Sequence, residues 1–177
     1  MLFRQLFDAA SSTYTYLLAD PASGEALLID PVFEQSTRDL SLLRELGLTL
    51  KLVVDTHAHA DHVAGHARAR EASGAKVYVM TGDDKVIANG GKGQYLYTDS
   101  RWRPCPVDKV LKDGDKVSLG GTTLVARHTP GHTAGCTTWT ATVGKGSGKK
   151  LVVVVGSPNV NPGFQLVNNK AYPKIAD

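Results

Sequence analysis

The chain has 177 residues, with 42% hydrophobic and 21% charged content, an ordinary balance for a globular protein large enough to bury a substantial core. A formal charge of +3 is too small and too dispersed to argue for nucleic acid or membrane as a partner, and no apolar run is long enough to span a bilayer. Cys105 and Cys136 are too few for a disulfide framework, so two free thiols are expected. The start, Met1-Leu2-Phe3-Arg4-Gln5, lacks the basic-then-apolar pattern of a secretory signal. As written the chain reads as cytoplasmic; a removed signal would make it periplasmic.

In chain order, Thr13 to Leu18 and Ala26 to Ile29 are β-rich runs joined by Pro21-Ala22-Ser23-Gly24, a hairpin that Asp30-Pro31 ends. Ser36 to Leu46 reads as a helix: Ser36 can cap it, Leu40, Leu43 and Leu46 recur at helical spacing, and Gly47 stops it. Leu50 to Val54 is a buried strand, His62 to Ala72 a helix closed by Gly74, and Lys76 to Met80 another strand. This β–loop–α–β order predicts parallel strands with a site at a strand's carboxyl end. From Asn89 to Pro106 the pattern breaks into a long loop bearing Tyr95, Tyr97 and Trp102, either a binding lid or a surface excursion packed on the core. Strands are predicted at Asp108 to Leu111, Lys116 to Leu119, Thr122 to Arg127, Thr137 to Val143 and Leu151 to Val155. Tyr172 to Asp177 reads as the opening of a helix, with Pro173 in its first turn.

Two clusters carry chemistry. His57-Ala58-His59-Ala60-Asp61-His62 gathers three imidazoles and a carboxylate directly after an apolar strand. Both groups ligate zinc, and the carboxylate widens the choice toward iron and manganese. If the strand continues, His57 and His59 point to one side by the period-two alternation, and Asp61 and His62 follow at the turn. The plain alternative is a polar loop that happens to be rich in histidine. The second cluster, Thr129-Pro130-Gly131-His132, is a tight turn that can face an imidazole inward. Together, His57, His59 and His132 offer three nitrogens to one zinc and leave a position for water, while Asp61 and His62 begin a second metal position. A water shared by two metals is deprotonated near neutral pH and attacks readily.

These clusters together resemble the metallo-β-lactamase-fold superfamily. Residues 1 to about 66, including Ser11-Ser12-Thr13-Tyr14-Thr15-Tyr16 and Leu28-Ile29-Asp30-Pro31-Val32, resemble its persulfide dioxygenase and glyoxalase II branch. From Gly74 onward, Val107 to Gly114, Gly135-Cys136-Thr137-Thr138-Trp139-Thr140 and Gly156-Ser157-Pro158-Asn159-Val160-Asn161-Pro162-Gly163 resemble metallo-β-lactamases of the third subclass. A recombined or engineered chimera accounts for the change of character. The resemblance implies an αββα sandwich of two mixed sheets covered by helices, with the last C-terminal elements lacking. It also implies a metal-ligating Asp after the last strand in the dioxygenase branch, where this chain has Gly156-Ser157. The β-lactamase branch has Ser there, touching substrate or water, and takes its last zinc ligand from a later His; this chain has no histidine after His132.

Other residues have lesser expected roles. His66, four residues after His62, is expected to face solvent or to support a ligand. His128 should point away from His132. Asp30, and also Asp55, can hydrogen-bond a ligating imidazole, though Asp55 can equally cap the loop. Cys136 is expected to be a buried small hydrophobe. Lys92, Arg101 and Arg103 either steer an anionic substrate or line a solvated loop.

The chain is thus expected to form a single unit over 1–177, with 1–66 dioxygenase-like and 67–177 β-lactamase-like. The leading expectation is a zinc hydrolase that opens β-lactam rings with one or two zinc ions, using Asp61 and Ser157 beside the ligands. An iron-dependent persulfide dioxygenase is the alternative enzyme, and a scaffold with an incomplete metal site is the alternative without activity. A small-molecule substrate is expected, with a homo-oligomer as a further option.

Overall fold

The structure is a computed structural model. It describes residues 1–58, 60–92, 102–144, 146–159, 167, 168 and 170, and within 60–64 the backbone alone. The elements in chain order are β1 (Leu2–Asp8), β2 (Thr13–Asp20), β3 (Glu25–Ile29), α1 (Ser36–Glu45), β4 (Thr49–Val54), α2 (Ala60–Ser73), β5 (Lys76–Met80), α3 (Asp84–Ala88), β6 (Lys109–Leu111), β7 (Lys116–Leu119), β8 (Thr122–His128), β9 (Thr137–Val143) and β10 (Lys150–Val154).

Among the described residues two sheets form. The first runs β1-β2-β3-β4-β5-β6, antiparallel through β3 and parallel from β3 to β6. The second, β10-β9-β8-β7, is antiparallel throughout. Crossovers between parallel strands place α1 and α2 on the outer face of the first sheet, which buries Leu17, Leu28, Leu43, Val53, Ala67, Val77 and Ile87 between helix and strand. The other face meets the second sheet across Leu18, Leu27, Ile29, Val54, Leu111, Leu124 and Trp139. This is the mixed-sheet sandwich expected from the resemblance.

The predicted strands and helices from Thr13 to Val155 lie within a few residues of those observed. Two elements go beyond the sequence pattern: β1, which pairs along its whole length with β2, and the short helix α3. Ser36 does not cap α1. Its hydroxyl donates to the Phe33 carbonyl at 2.7 Å, because a 3-10 turn over Phe33–Gln35 leads into the helix and brings that carbonyl within reach. Gly65 lets α2 lie against the end of β3: a Cβ there would fall 1.9 Å from the Pro31 carbonyl oxygen. Cys105 and Cys136 are free and buried, as expected. The helix predicted from Tyr172 lies outside the described residues, as do Tyr95, Tyr97 and Arg101.

Candidate functional site

The carboxyl end of β4 delivers Asp55, Thr56 and His57, at the edge where parallel sheets tend to place their ligands. The neighbouring strand β3 ends in Asp30, held in the left-handed region at φ 52°, which Asp tolerates better than most side chains. That turn aims the Asp30 carboxylate at the histidine loop. It accepts the Thr56 N–H at 2.6 Å and the Thr56 hydroxyl at 2.7 Å. The hydroxyl proton being spent on Asp30, Thr56 Oγ1 can only accept from His57, whose Nδ1 lies 2.8 Å away. The Nδ1–H tautomer follows, which puts the lone pair of the ring on Nε2, the nitrogen that would meet a metal. Asp30 therefore reaches the His57 imidazole through Thr56.

The loop between β8 and β9 brings His132 to the same place. The rings of His57 and His132 meet edge to face, with centroids 4.6 Å apart. Two links hold the loops together: the Thr137 N–H donates to the Thr56 carbonyl at 2.7 Å, and Asp83 binds both loops at once. Its Oδ2 accepts the Ala58 N–H at 2.9 Å and the Thr133 hydroxyl at 2.6 Å, and its Oδ1 accepts the Gly135 N–H at 2.8 Å. Burial raises the Asp83 pKa, while these three donors work to lower it.

His57 also lines a cavity of about 250 Å³ together with Ser11, Ser12, Asp30, Thr56 and Gly156. Ser157 follows Gly156, and its hydroxyl accepts the Asn159 N–H at 3.1 Å, closing a local turn. His59 lies outside the described residues, and Asp61 and His62 stand in the first turn of α2 with side chains outside the description. Among the described residues no three His, Cys, Asp or Glu side chains gather into a metal-sized group.

The expectations for His66 and Asp55 are corrected. His66 does not face solvent: its ring is fully buried under α2, with Nδ1 2.7 Å from Asp55 Oδ2. Burial works against its charge, but the Asp55 carboxylate, with Cys105 beside the ring, outweighs it and lifts the His66 pKa to about 10. Among the described residues Asp55 thus serves His66, while its carbonyl accepts the Trp139 indole N–H at 3.0 Å. His128 turns into its own loop and donates from Nε2 to the Ala134 carbonyl at 2.8 Å. Arg103 pairs with Glu71. Burial pushes the Cys136 thiol up to about 12, which suits packing and not nucleophilic attack.

Thr56, Asp83 and Thr133 join the site without having stood out in the sequence. For Asp83 a signal exists, a pair of acids in the turn after a parallel strand, but its partners lie 25 and 52 residues away in sequence.

Residues 9–145, well over half of the chain, match the family model of the Metallo-beta-lactamase superfamily. The chain belongs to that superfamily. Within the superfamily it is 42% identical over 139 residues to the mitochondrial persulfide dioxygenase ETHE1 of Bos taurus, covering 78% of this chain and 47% of that protein. The chain thus spans about half the length of the curated relatives it matches. Among solved structures it is similar to the native FEZ-1 metallo-beta-lactamase from Legionella gormanii, with a TM-score of 0.80 and 39% identity over 92% of this chain and 64% of that one. ETHE1 from Myxococcus xanthus is also similar, with a TM-score of 0.63 and 39% identity over 80% and 54%. Superfamily members bind metal ions. The donors at this site fit such an ion: two imidazoles in contact, one with its far nitrogen already committed to Thr56.

Proposed function

We propose that this chain is a zinc-dependent hydrolase that opens β-lactam rings. The observation that carries the reading is Gly156-Ser157 just beyond β10: Gly156 lines the cavity shared with His57, and the resemblance to the dioxygenase branch implies a carboxylate where Ser157 stands. Likeness to the Legionella gormanii enzyme over 92% of the chain supports it.

His57, His59 and His132 would hold one ion, and Asp61 with His62 a second. When bound, zinc supplies a Lewis acid that polarises a carbonyl and acidifies water. The chain's own residues supply the rest. Thr56 and Asp30 keep a proton on His57 Nδ1 and fix the ring's direction, so the donor nitrogen does not have to reorganise. Asp61 would orient the attacking water or hold the second ion with His62. Ser157 and the walls of the cavity position the substrate.

Purified protein supplied with zinc is expected to open a chromogenic cephalosporin, and a His57→Ala variant is not; equal rates for the two would sink the mechanism. Identity of 42% to the Bos taurus dioxygenase favours a second reading, iron-dependent oxidation of glutathione persulfide. Oxygen uptake with that substrate, set beside cephalosporin turnover, separates the two. Metal analysis tests a third, a scaffold with an incomplete site: two zinc ions per chain would argue against it, and none would leave only that reading.

A further inference from the structure

Asp83 sits at the N-cap of α3, a position where aspartate usually binds the first free N–H groups of its own helix. Here the side chain makes no cap bond. It turns away, is 3% exposed, and accepts its hydrogen bonds from the two histidine loops. One oxygen holds Ala58, between His57 and His59, and also Thr133, next to His132; the other holds Gly135. The backbone around it is shaped for this contact. Gly82 has φ 105°, and a Cβ on it would lie 2.7 Å from the Ala134 carbonyl. A Cβ on Gly135 would fall 2.6 Å from the Asp83 nitrogen. Both close approaches need glycine, and local helix capping explains none of the arrangement.

We propose that Asp83 is a positioning residue that locks the two histidine loops at one separation and so sets the affinity of the site for its metal. The inference rests on the metal-binding part of the proposed function, not on the identity of the substrate. A buried carboxylate suits the task because it has two acceptor atoms on a rigid plane, one for each side of the second loop and one of them shared with the first. An amide has a single acceptor. In an Asp83→Asn variant, whichever way the amide were flipped, its NH2 would face a backbone N–H, that of Ala58 or that of Gly135, and that bond would be lost.

The test is zinc affinity of the full chain, measured by competition with a chromophoric chelator and without substrate, alongside thermal melts of the metal-free protein. Asp83→Asn is expected to weaken zinc binding by about 10- to 100-fold, the usual effect of removing a group that orients metal ligands. Thr133→Val leaves both backbone N–H bonds in place and is expected to lose only a few-fold. It also keeps the proposal open to refutation should Asp83→Asn fail to fold. Asp39→Asn, which alters a buried carboxylate on α1 paired with Arg38, is expected to lower the melting temperature and leave zinc affinity as in the wild type. If Asp83→Asn and Thr133→Val both melt lower yet bind zinc within about twofold of wild type, the role is structural and the proposal is overturned. If the wild type binds no zinc, the proposal falls together with the hydrolase reading. If it binds zinc but turns over no cephalosporin, only the hydrolase reading falls.

Discussion

The two sheets share one interface but differ on their other faces. The first is covered on both sides: β3 and β4 are buried between α1, α2 and the second sheet, and they read as unbroken apolar runs, Ala26-Leu27-Leu28-Ile29 and Leu52-Val53-Val54. The second sheet is buried on one side. Along β8 and β9, Leu124, Ala126, Trp139 and Ala141 point inward, while Thr123, Arg127 and Thr142 stay exposed. On the edge strand β10, Leu151 and Val153 also lie open. A continuous run therefore records two-sided cover, and alternation records one-sided cover. The candidate site joins the two regimes, with His57 leaving the covered sheet and His132 the half-covered one.

The largest effect expected from this contrast lies under α2. Replacing His66 by Leu leaves the buried Asp55 carboxylate without its counter-charge, 2.7 Å from where the imidazole stood. Breaking a buried pair in this way costs about 3–5 kcal/mol, to be read from denaturant unfolding. A loss below about 1 kcal/mol would mean that water reaches Asp55 and that the helix cover is incomplete. The pair also has a pH signature. The folded pKa of about 10 lies above the ordinary 6.5, so the stabilisation is complete below 6.5 and is lost as pH rises through about 10. Melting temperature followed across that window should fall more steeply for the wild type than for His66→Leu.

Next in size is Leu28→Ala. Leu28 is 1% exposed on the helix side of the covered sheet, and its truncation should cost about 2–5 kcal/mol, according to how far α1 and α2 can collapse onto the space. Unfolding free energies of the two proteins check it. A cost below about 1 kcal/mol would mean a loosely packed helix layer.

Most of this architecture is legible in the chain because burial imprints itself on local pattern. The parallel core strands, the alternating second sheet and the helix from Ser36 all fall within a few residues of their predicted places. What escapes depends on partners distant in sequence. The strand β1 buries little beyond Asp8, and its register comes from β2, not from its own pattern. With five residues, α3 is too short to display a helical period. At the site, His57 and His132 stand out because clustered imidazoles have few other uses. Thr56 and Asp83 do not, since a threonine and an acidic turn are common, and their roles arise only where loops meet. His66 misleads for the same reason: its partner Asp55 precedes the loop, and nothing in the helix period alone shows that the ring is covered.

The smallest effect tests the bare side. Leu151 is 67% exposed on β10, directly opposite Thr142 on β9. Changing it to Thr removes little buried area and places two threonines as a cross-strand pair, which is worth about 0.2–1 kcal/mol and offsets part of that loss. The net change should stay within about 0.5 kcal/mol, the range of substitutions away from any packed contact. Unfolding free energies of Leu151→Thr and Leu28→Ala, measured side by side, turn the difference between the sheets into one number. A cost for Leu151→Thr approaching that of Leu28→Ala would mean that the outer face of the second sheet is covered in solution, and the contrast between the sheets would then disappear.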